Sequence, residues 1–195
     1  RTFLNQPDWE DWQATIADLQ TSISEEDMKA ALKDLPDEVE GLSSDRILSV
    51  LKVRLKEMET YARDYYEYLS KEVEVVGSNK HEHFQVTRNK DGTVHVLVRK
   101  ITKEWKIKQT LYDRSFDPAV TREIRLYGLG SNDVFQIEGS TKKSIRIRVI
   151  GGKGDDQISD KSSVSGMSKK TKVYDTRETT ALKTKGESKV YLSDS

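Results

Sequence analysis

The strongest candidate for a chemical site in this sequence is a glycine-rich turn at residues 151–159. It reads Gly-Gly-Lys-Gly-Asp-Asp-Gln-Ile-Ser and fits the calcium-binding nonapeptide pattern. In that pattern the glycines turn carbonyl oxygens inward and the aspartate supplies a hard oxygen ligand. Because the calcium ion is shared between successive turns, one complete copy makes only half a site.

A second, incomplete copy of the turn lies upstream at residues 128–135. It keeps the aspartate and the apolar residue but has Leu129 in place of the second glycine. Asp133 and Asp156 are therefore equivalent positions of successive repeats, and they are the two candidate calcium ligands. The alternative is a tight glycine turn without an ion. We expect no tightly bound calcium, because the second turn is incomplete. We also expect no other cofactor.

Other chemical motifs are weaker. His81 and His83 alternate along a predicted strand and so share a face, but zinc needs at least three protein ligands and no third is evident. The turn at residues 151–154 lacks the Lys-Ser/Thr and the following helix of a phosphate loop. The chain contains no cysteine, and no Ser/His/Asp arrangement can be argued. The sequence therefore predicts no catalytic residue in this chain.

The aspartates lie in a region that repeats itself. Residues 124–128 return as residues 147–151 and, more loosely, as residues 171–175. A period of about 23 residues, which begins at residue 123, predicts the stacked turns of a short parallel β-solenoid. An antiparallel β-sandwich is the alternative, because its strand spacing also fits. In the solenoid, three inside positions stack on one another and three basic positions form an outside column: Ile124, Ile147 and Thr171, and Arg125, Arg148 and Lys172.

The N-terminal part has helical periodicity instead. Apolar residues recur at steps of three and four from Pro7 to about Gln20, from Ser24 to Pro36, and from about Ser44 to about Lys71. The third segment has an apolar seam at heptad spacing, which predicts one long helix packed on the two short ones, or else a coiled coil or partner-binding helix. We expect its tyrosines to bury their rings: Tyr61, Tyr65, Tyr66 and Tyr68.

At Glu72 the period changes to two, and Asp91-Gly92 between alternating runs predicts a β-hairpin. We therefore predict an α+β protein with a three-helix subdomain at residues 1–75 and an all-β domain at residues 76–195. The first part carries 9 Lys/Arg against 18 Asp/Glu, a net charge of −9, and the second 24 against 15, a net charge of +9. This asymmetry favours solvated faces that attract each other over nucleic-acid binding, since the basic column lacks interleaved aromatic residues.

Seven segments, spread over nearly the whole chain, have a familiar wording: Glu123–Gly130, Val134–Phe135, Ile147–Gly154, Lys170–Asp175, Trp9–Gln20, Tyr61–Tyr66 and Val75–Ser78. Through these segments the chain resembles a region of large cell-envelope proteins of the Bacteroidetes type, which are usually labelled metallophosphatase or calcineurin-like phosphoesterase proteins and sometimes carry a surface-antigen β-barrel. The catalytic motifs of that family are histidine- and aspartate-rich metal loops and a kinase-like loop, and none occurs here, so no catalytic residue is carried over.

The resemblance implies a cell-envelope location, whether outer membrane-associated, periplasmic or surface-exposed. It also implies an accessory region between an enzymatic part and a membrane part. Since the chain begins at Arg1 without a methionine, we interpret it as a piece of a longer protein. Its partners are then the upstream and downstream domains of the same polypeptide, with no nucleic acid, and with membrane contact only through the parent protein.

Three functions follow as expectations. The first is a non-catalytic accessory or structural module that serves as a spacer or docking surface. The second is part of the wall of a phosphoesterase or kinase-like active site in the full-length protein. The third is a calcium-dependent, adhesin-like surface module. Hydrolysis of a generic phosphodiester by the isolated chain would favour the second, and a calcium-dependent melting temperature the third.

Overall fold

The computed structural model describes residues 7–176, 181–184 and 188–194. It confirms the α+β class. The described residues divide into two compact units, Pro7–Tyr68 and the residues from Leu69 onward, which we call the helical unit and the β unit. The sequence-based boundary between residues 75 and 76 falls inside the first strand of the β unit. The helices are α1 Trp9–Ser22, α2 Glu25–Leu32, α3 Asp37–Lys56 and α4 Met58–Ser70.

The first two helices begin with capping boxes, which satisfy backbone N–H groups that a helix start leaves without partners. The Asp8 side chain accepts a hydrogen bond from the Asp11 N–H at 3.1 Å, and the Asp11 carboxylate accepts one from the Asp8 N–H at 3.0 Å. Ser24 and Asp27 make the same pair of bonds at the start of α2. Helix α2 ends at Leu32, and Pro36 caps the start of α3 instead of terminating α2 as predicted.

The prediction of one long helix from Ser44 to Lys71 is wrong. The chain leaves helical geometry at Glu57, with φ −90° and ψ 3°, and α4 begins as a new helix at Met58. The predicted burial of the tyrosine rings is also wrong for Tyr61, Tyr65 and Tyr68, which are 58%, 52% and 59% exposed. Because the helix is interrupted, the heptad seam does not continue through them as one buried face.

The β unit contains thirteen strands in the described residues. In chain order they are β1 Glu72–Val76, β2 Glu82–Arg88, β3 Val94–Ile101, β4 Ile107–Phe116, β5 Glu123–Gly130, β6 Val134–Glu138, β7 Ser140–Thr141, β8 Arg146–Lys153, β9 Gln157–Asp160, β10 Ser163–Val164, β11 Thr171–Thr176, β12 Ala181–Thr184 and β13 Ser188–Ser193.

Two main sheets carry these strands. The first has the order β1-β5-β8-β11-β13, and every neighbouring pair is parallel. The second has the order β12-β9-β6-β2-β3-β4, in which the pairs from β12 to β2 are parallel and the β2-β3-β4 part is antiparallel. The chain thus passes from the first sheet to the second in β1–β2, β5–β6, β8–β9 and β11–β12. We call each of these strand pairs a rung.

The predicted register of the repeat is confirmed. Ile124 pairs with Ile147 and Leu126 with Val149 in parallel neighbours, and Thr171 continues the Ile147 position. The antiparallel alternative required the opposite direction for these neighbours. The sequence did not reveal the first rung, in which Val73 pairs with Ile124, because the β3–β4 strands are inserted between it and the second rung.

The predicted hairpin at Asp91-Gly92 joins β2 to β3, with Arg88 opposite Val94 and Gly92 at φ 98°. Inward side chains of both main sheets form one apolar core: Val73, Val75, Phe84, Val86, Val94, Val96, Val98, Phe116, Ile124, Leu126, Phe135, Ile137, Ile145, Ile147, Val149, Ile158 and Val173.

Candidate functional site

Each of the first three rungs carries a glycine near the end of its first strand and an acid five residues later. The acids are Glu82, Asp133 and Asp156, and they are 1%, 0% and 1% exposed. We call these three residues the carboxylate column. Both candidate calcium ligands belong to it, and the corresponding glycines are Gly77, Gly128 and Gly151.

The glycines are required by the way the acids fold back over them. A Cβ atom at Gly128 would lie 2.6 Å from Asp133 Oδ2, and one at Gly77 would lie 2.8 Å from Glu82 Oε2. Real Cβ atoms essentially never approach so closely. Gly151 has the same relation to Asp156. A glycine and an acid at this spacing therefore form one unit in each rung.

Backbone hydrogen bonds connect the column from rung to rung. The Glu82 N–H donates to Asp133 Oδ1 at 2.8 Å, and the Asp133 N–H donates to Asp156 Oδ1 at 2.8 Å. Glu82 accepts hydrogen bonds from the backbone N–H and the hydroxyl of Ser78. Since each aspartate satisfies a buried N–H of the preceding rung, the column clamps three rungs together.

The second carboxylate oxygen of Asp133 and that of Asp156 are buried without a hydrogen-bond partner. Burial raises the pKa of Asp133 to about 8, against the opposing hydrogen bond from Glu82 and with help from the nearby charges of Asp156 and Glu82. Burial likewise raises the pKa of Asp156 to about 6, and Asp175 and Asp155 add to the rise. Both pKa values are thus raised well above the ordinary range of an aspartate, because burial disfavours the charged form of the carboxyl group.

The candidate calcium ligands thus lie side by side, but their geometry fits calcium poorly. One oxygen of each aspartate is already taken by a backbone N–H, whereas calcium takes six to eight oxygen ligands. Within the described ranges no group of three or more ligating side chains could hold a metal ion. The absence of tightly bound calcium stays a prediction.

The missing glycine of the incomplete copy does not alter the corner. Leu129 and Ser131 have φ values of 74° and 77°, and the matching Gly152 and Gly154 have φ values of 106° and 135°. Gly130 pairs with Lys153, which places these residues in register. The same left-handed corner is therefore built with and without glycine.

The two histidines have separate hydrogen-bond partners. His81 Nδ1 lies 2.9 Å from the carbonyl oxygen of Asn132, whereas His83 Nε2 lies 2.9 Å from Gln136 Oε1. Each ring is thus held by a group of the second rung.

Ion pairs that the sequence did not predict hold the basic column on the outer face. Glu123, which is 3% exposed, bonds Arg125 at 2.6 Å, and it also binds Arg146 at 3.2 Å and Arg148 at 3.1 Å. The Arg148 guanidinium lies 5.3 Å from the ring centre of Tyr174. The statement that no aromatic residues accompany the column is therefore wrong, because the tyrosines of neighbouring positions share its face.

Asp133 and Asp156 could be identified from the sequence. Glu82, and the role of the glycines in leaving room for the acids, were not identified. The available signal was the spacing of glycine and acid, which occurs at Gly77 and Glu82 outside the recognised repeat. This spacing was overlooked, because the calcium-binding motif already accounted for the glycines and aspartates of the second and third rungs.

None of the helices in the described ranges combines the length and hydropathy of a membrane-spanning helix. Comparison with protein-family models, curated proteins and solved structures found no significant match.

Proposed function

We propose that the β unit is a short parallel β-solenoid and that the chain is a non-catalytic accessory module of a larger cell-envelope protein, in which it acts as a rigid spacer. The observation that supports this function is the unbroken register of the first sheet. One outward column passes through all five of its strands by way of Glu74, Arg125, Arg148, Lys172 and Lys189.

Rigidity is favoured on both sides of this sheet. Inside, Ile124, Ile147 and Val149 are fully buried on neighbouring strands, so a register slip of one residue would turn apolar side chains outward. Outside, Glu123 joins arginines of two strands, β5 and β8. Such a stack would hold the upstream and downstream domains of the same polypeptide at a constant distance from each other.

The buried aspartates of the β unit also make structural hydrogen bonds. In a hydrolytic site, the catalytic acids would instead be available to the substrate. Asp133 and Asp156 accept hydrogen bonds from backbone N–H groups of the preceding rung, and Asp160 accepts hydrogen bonds from Ser162 and Ser188. All three aspartates are buried. A general acid or base must instead reach its substrate.

The spacer function can be tested by distance measurement, because the chain has no cysteine that would interfere with labelling. Spin labels at Glu74→Cys and Lys189→Cys lie four strand spacings apart, about 19 Å by the usual separation of strands. We expect a narrow distance distribution near this value. A control pair at Glu74→Cys and Met167→Cys, where Met167 is fully exposed in a loop, should give a broader distribution.

A distribution for the Glu74 and Lys189 pair as broad as that of the control would contradict the spacer. The non-catalytic part has a separate test, in which the chain is incubated with bis(4-nitrophenyl) phosphate and Mg²⁺, Mn²⁺ or Zn²⁺. We expect no turnover above buffer. Turnover that is lost in the Asp133→Asn, Asp156→Asn double variant would show that the column is catalytic.

A further inference from the structure

A polar pocket of about 440 Å³ opens in the β unit, beside the loop that joins β5 to β6. Its volume lies within the ~300–1,000 Å³ typical of small-molecule sites. The spacer function makes no use of it. The pocket is lined by His81, Thr102, Lys103, Trp105, Ser131 and Asn132.

Trp105 is the most unusual of these residues. It adopts φ 62°, a left-handed conformation in which a bulky side chain is an outlier. Thr102 fixes this turn between β3 and β4. Its carbonyl oxygen accepts the Trp105 N–H at 2.9 Å, and its hydroxyl oxygen accepts the N–H groups of Glu104 and Lys106 at 3.2 Å.

Glycine is the residue that this position of a hairpin turn normally takes. The indole is 45% exposed, so core packing does not explain its presence. Backbone strain of this kind clusters at ligand-binding sites, where the side chain is needed in one place. Trp105 thus presents a fixed, accessible aromatic surface at the pocket.

A second lining residue also has a left-handed backbone conformation. Ser131 has φ 77°, and Gly154 stands at the matching position of the next rung. Since glycine would build the same corner without strain, the serine adds a hydroxyl group to the pocket. His81 is held beside it, because its Nδ1 atom lies 2.9 Å from the carbonyl oxygen of Asn132.

We propose that this pocket binds an acidic sugar, a pyranose ring that carries a carboxylate. A pyranose has one face of C–H groups, which stacks on an exposed indole, and a rim of hydroxyls for Ser131, Thr102 and Asn132. Among the described residues of the lining, Lys103 is the one formally charged side chain, and it favours an anionic substituent. An aromatic surface, several hydroxyl and amide groups and a single cation match this ligand class.

The test uses the full chain and sodium D-glucuronate, with methyl β-D-glucoside as the neutral comparison. In ¹⁵N-resolved NMR we expect a saturable shift of the Trp105 indole N–H at millimolar glucuronate, and weaker binding of the glucoside. Lys103→Ala should weaken glucuronate binding about tenfold, equivalent to ~1.4 kcal/mol, and leave glucoside binding unchanged. Trp12→Phe, in the helical unit, is the matched aromatic control and should bind as the unmodified chain does.

Trp105→Gly separates a binding role from a structural one. It should abolish the binding of both sugars, which is followed in this variant by the backbone N–H signals of Ser131 and Asn132. The unfolding midpoint should stay unchanged or rise by about 2–4 °C, because glycine relieves the left-handed strain. A lowered midpoint in Trp105→Gly would make the indole a structural residue and overturn the proposal. So would the absence of a saturable shift with either sugar, or equal affinity for glucuronate and the glucoside.

Discussion

The two units of this protein bury their apolar side chains to very different degrees. Among the described residues, two large apolar side chains of the helical unit are buried, Ile16 and Met28, at 6% and 8% exposure. In the β unit nineteen are buried, and many have no exposed surface at all. The difference arises because an inward side chain of a stacked rung is covered by the rungs on either side as well as by the opposite sheet, whereas a short amphipathic helix covers only one stripe.

Polar groups show the same contrast. The helical unit places its ion pairs at the surface, as in the pairs of Glu25 with Lys29 and Lys52, whose side chains are at least 38% exposed. The β unit instead buries Arg88, Glu123, Asp133 and Asp156, each with specific partners. We therefore expect the β unit to account for most of the cooperative unfolding, and the helical unit to open more readily.

Arg88→Ala should have the largest effect. The guanidinium of Arg88 is 2% exposed and donates to the Ser144 hydroxyl and the Ile145 carbonyl at 2.7 Å, and to the Thr171 hydroxyl at 3.1 Å. Its removal leaves buried acceptors without donors, so the free energy of unfolding should fall by ~3–5 kcal/mol in urea titration. Arg122→Ala, at an exposed position of the same unit, is the control and should change it by no more than about 0.5 kcal/mol.

A change of less than 1 kcal/mol in Arg88→Ala, by the usual size of ordinary substitutions, would mean that the buried polar cluster adds little to the β unit. The proposed contrast in polar packing between the two units would then fail, and the difference in apolar burial alone would remain.

Ile147→Ala against Ile16→Ala tests that apolar difference directly. Ile147 is fully buried between β5 and β11, so its truncation should cost ~2–5 kcal/mol and reduce hydrogen-exchange protection across the β unit. Ile16→Ala should lower protection only within residues 7–68, with a smaller loss of stability because the loosely packed helices relax around the gap. Equal losses of protection in both units for either variant would show that they unfold as one.

The sequence predicted the β unit well because its repeat imposes equivalent surroundings. Ile124, Ile147 and Thr171 could be aligned by type alone, and their register followed. The first rung was not recognised because the inserted residues 89–122 separate it from the second. Arg88 could not be recognised as buried, because its partners lie on β11 and in the loops before β8, β10 and β11. Helical periodicity is a weaker guide, since Glu57 interrupts a pattern that continues through it without a break in spacing.

Glu123→Gln against Glu25→Gln compares a buried with an exposed ion pair. Burial alone would raise the pKa of Glu123, but hydrogen bonds from Arg125, Arg146 and Arg148 bring it below its ordinary value. Loss of this charge should cost ~1.5–3 kcal/mol at pH 7, as for hydrogen bonds to charged groups. Glu25→Gln should leave the unfolding midpoint unchanged in thermal melts, because its lysine partners are largely exposed. A comparable loss of stability in both variants would show that the buried and the exposed ion pairs contribute equally.

The smallest effect at neutral pH, and the most specific, is expected from Asp133→Asn. The substitution keeps an oxygen that can accept the Glu82 N–H, so stability near pH 5 should change little. The folded pKa of about 8 lies above the ordinary value of 3.8. The stabilisation linked to this group is therefore complete below pH 4 and is lost as the pH rises through 8, at on the order of 1 kcal/mol per pH unit.

Urea titrations at pH 5 and pH 8 should accordingly show that Asp133→Asn loses less stability over this interval than the unmodified chain. Asp156, whose pKa of about 6 is also raised, leaves a residual loss in the lower half of the interval. Asp64→Asn, at an exposed position of the helical unit, should retain the full pH dependence. Identical pH dependence in Asp133→Asn and the unmodified chain would show that Asp133 is ionised in the folded protein, and that a cation or another donor reaches its second oxygen.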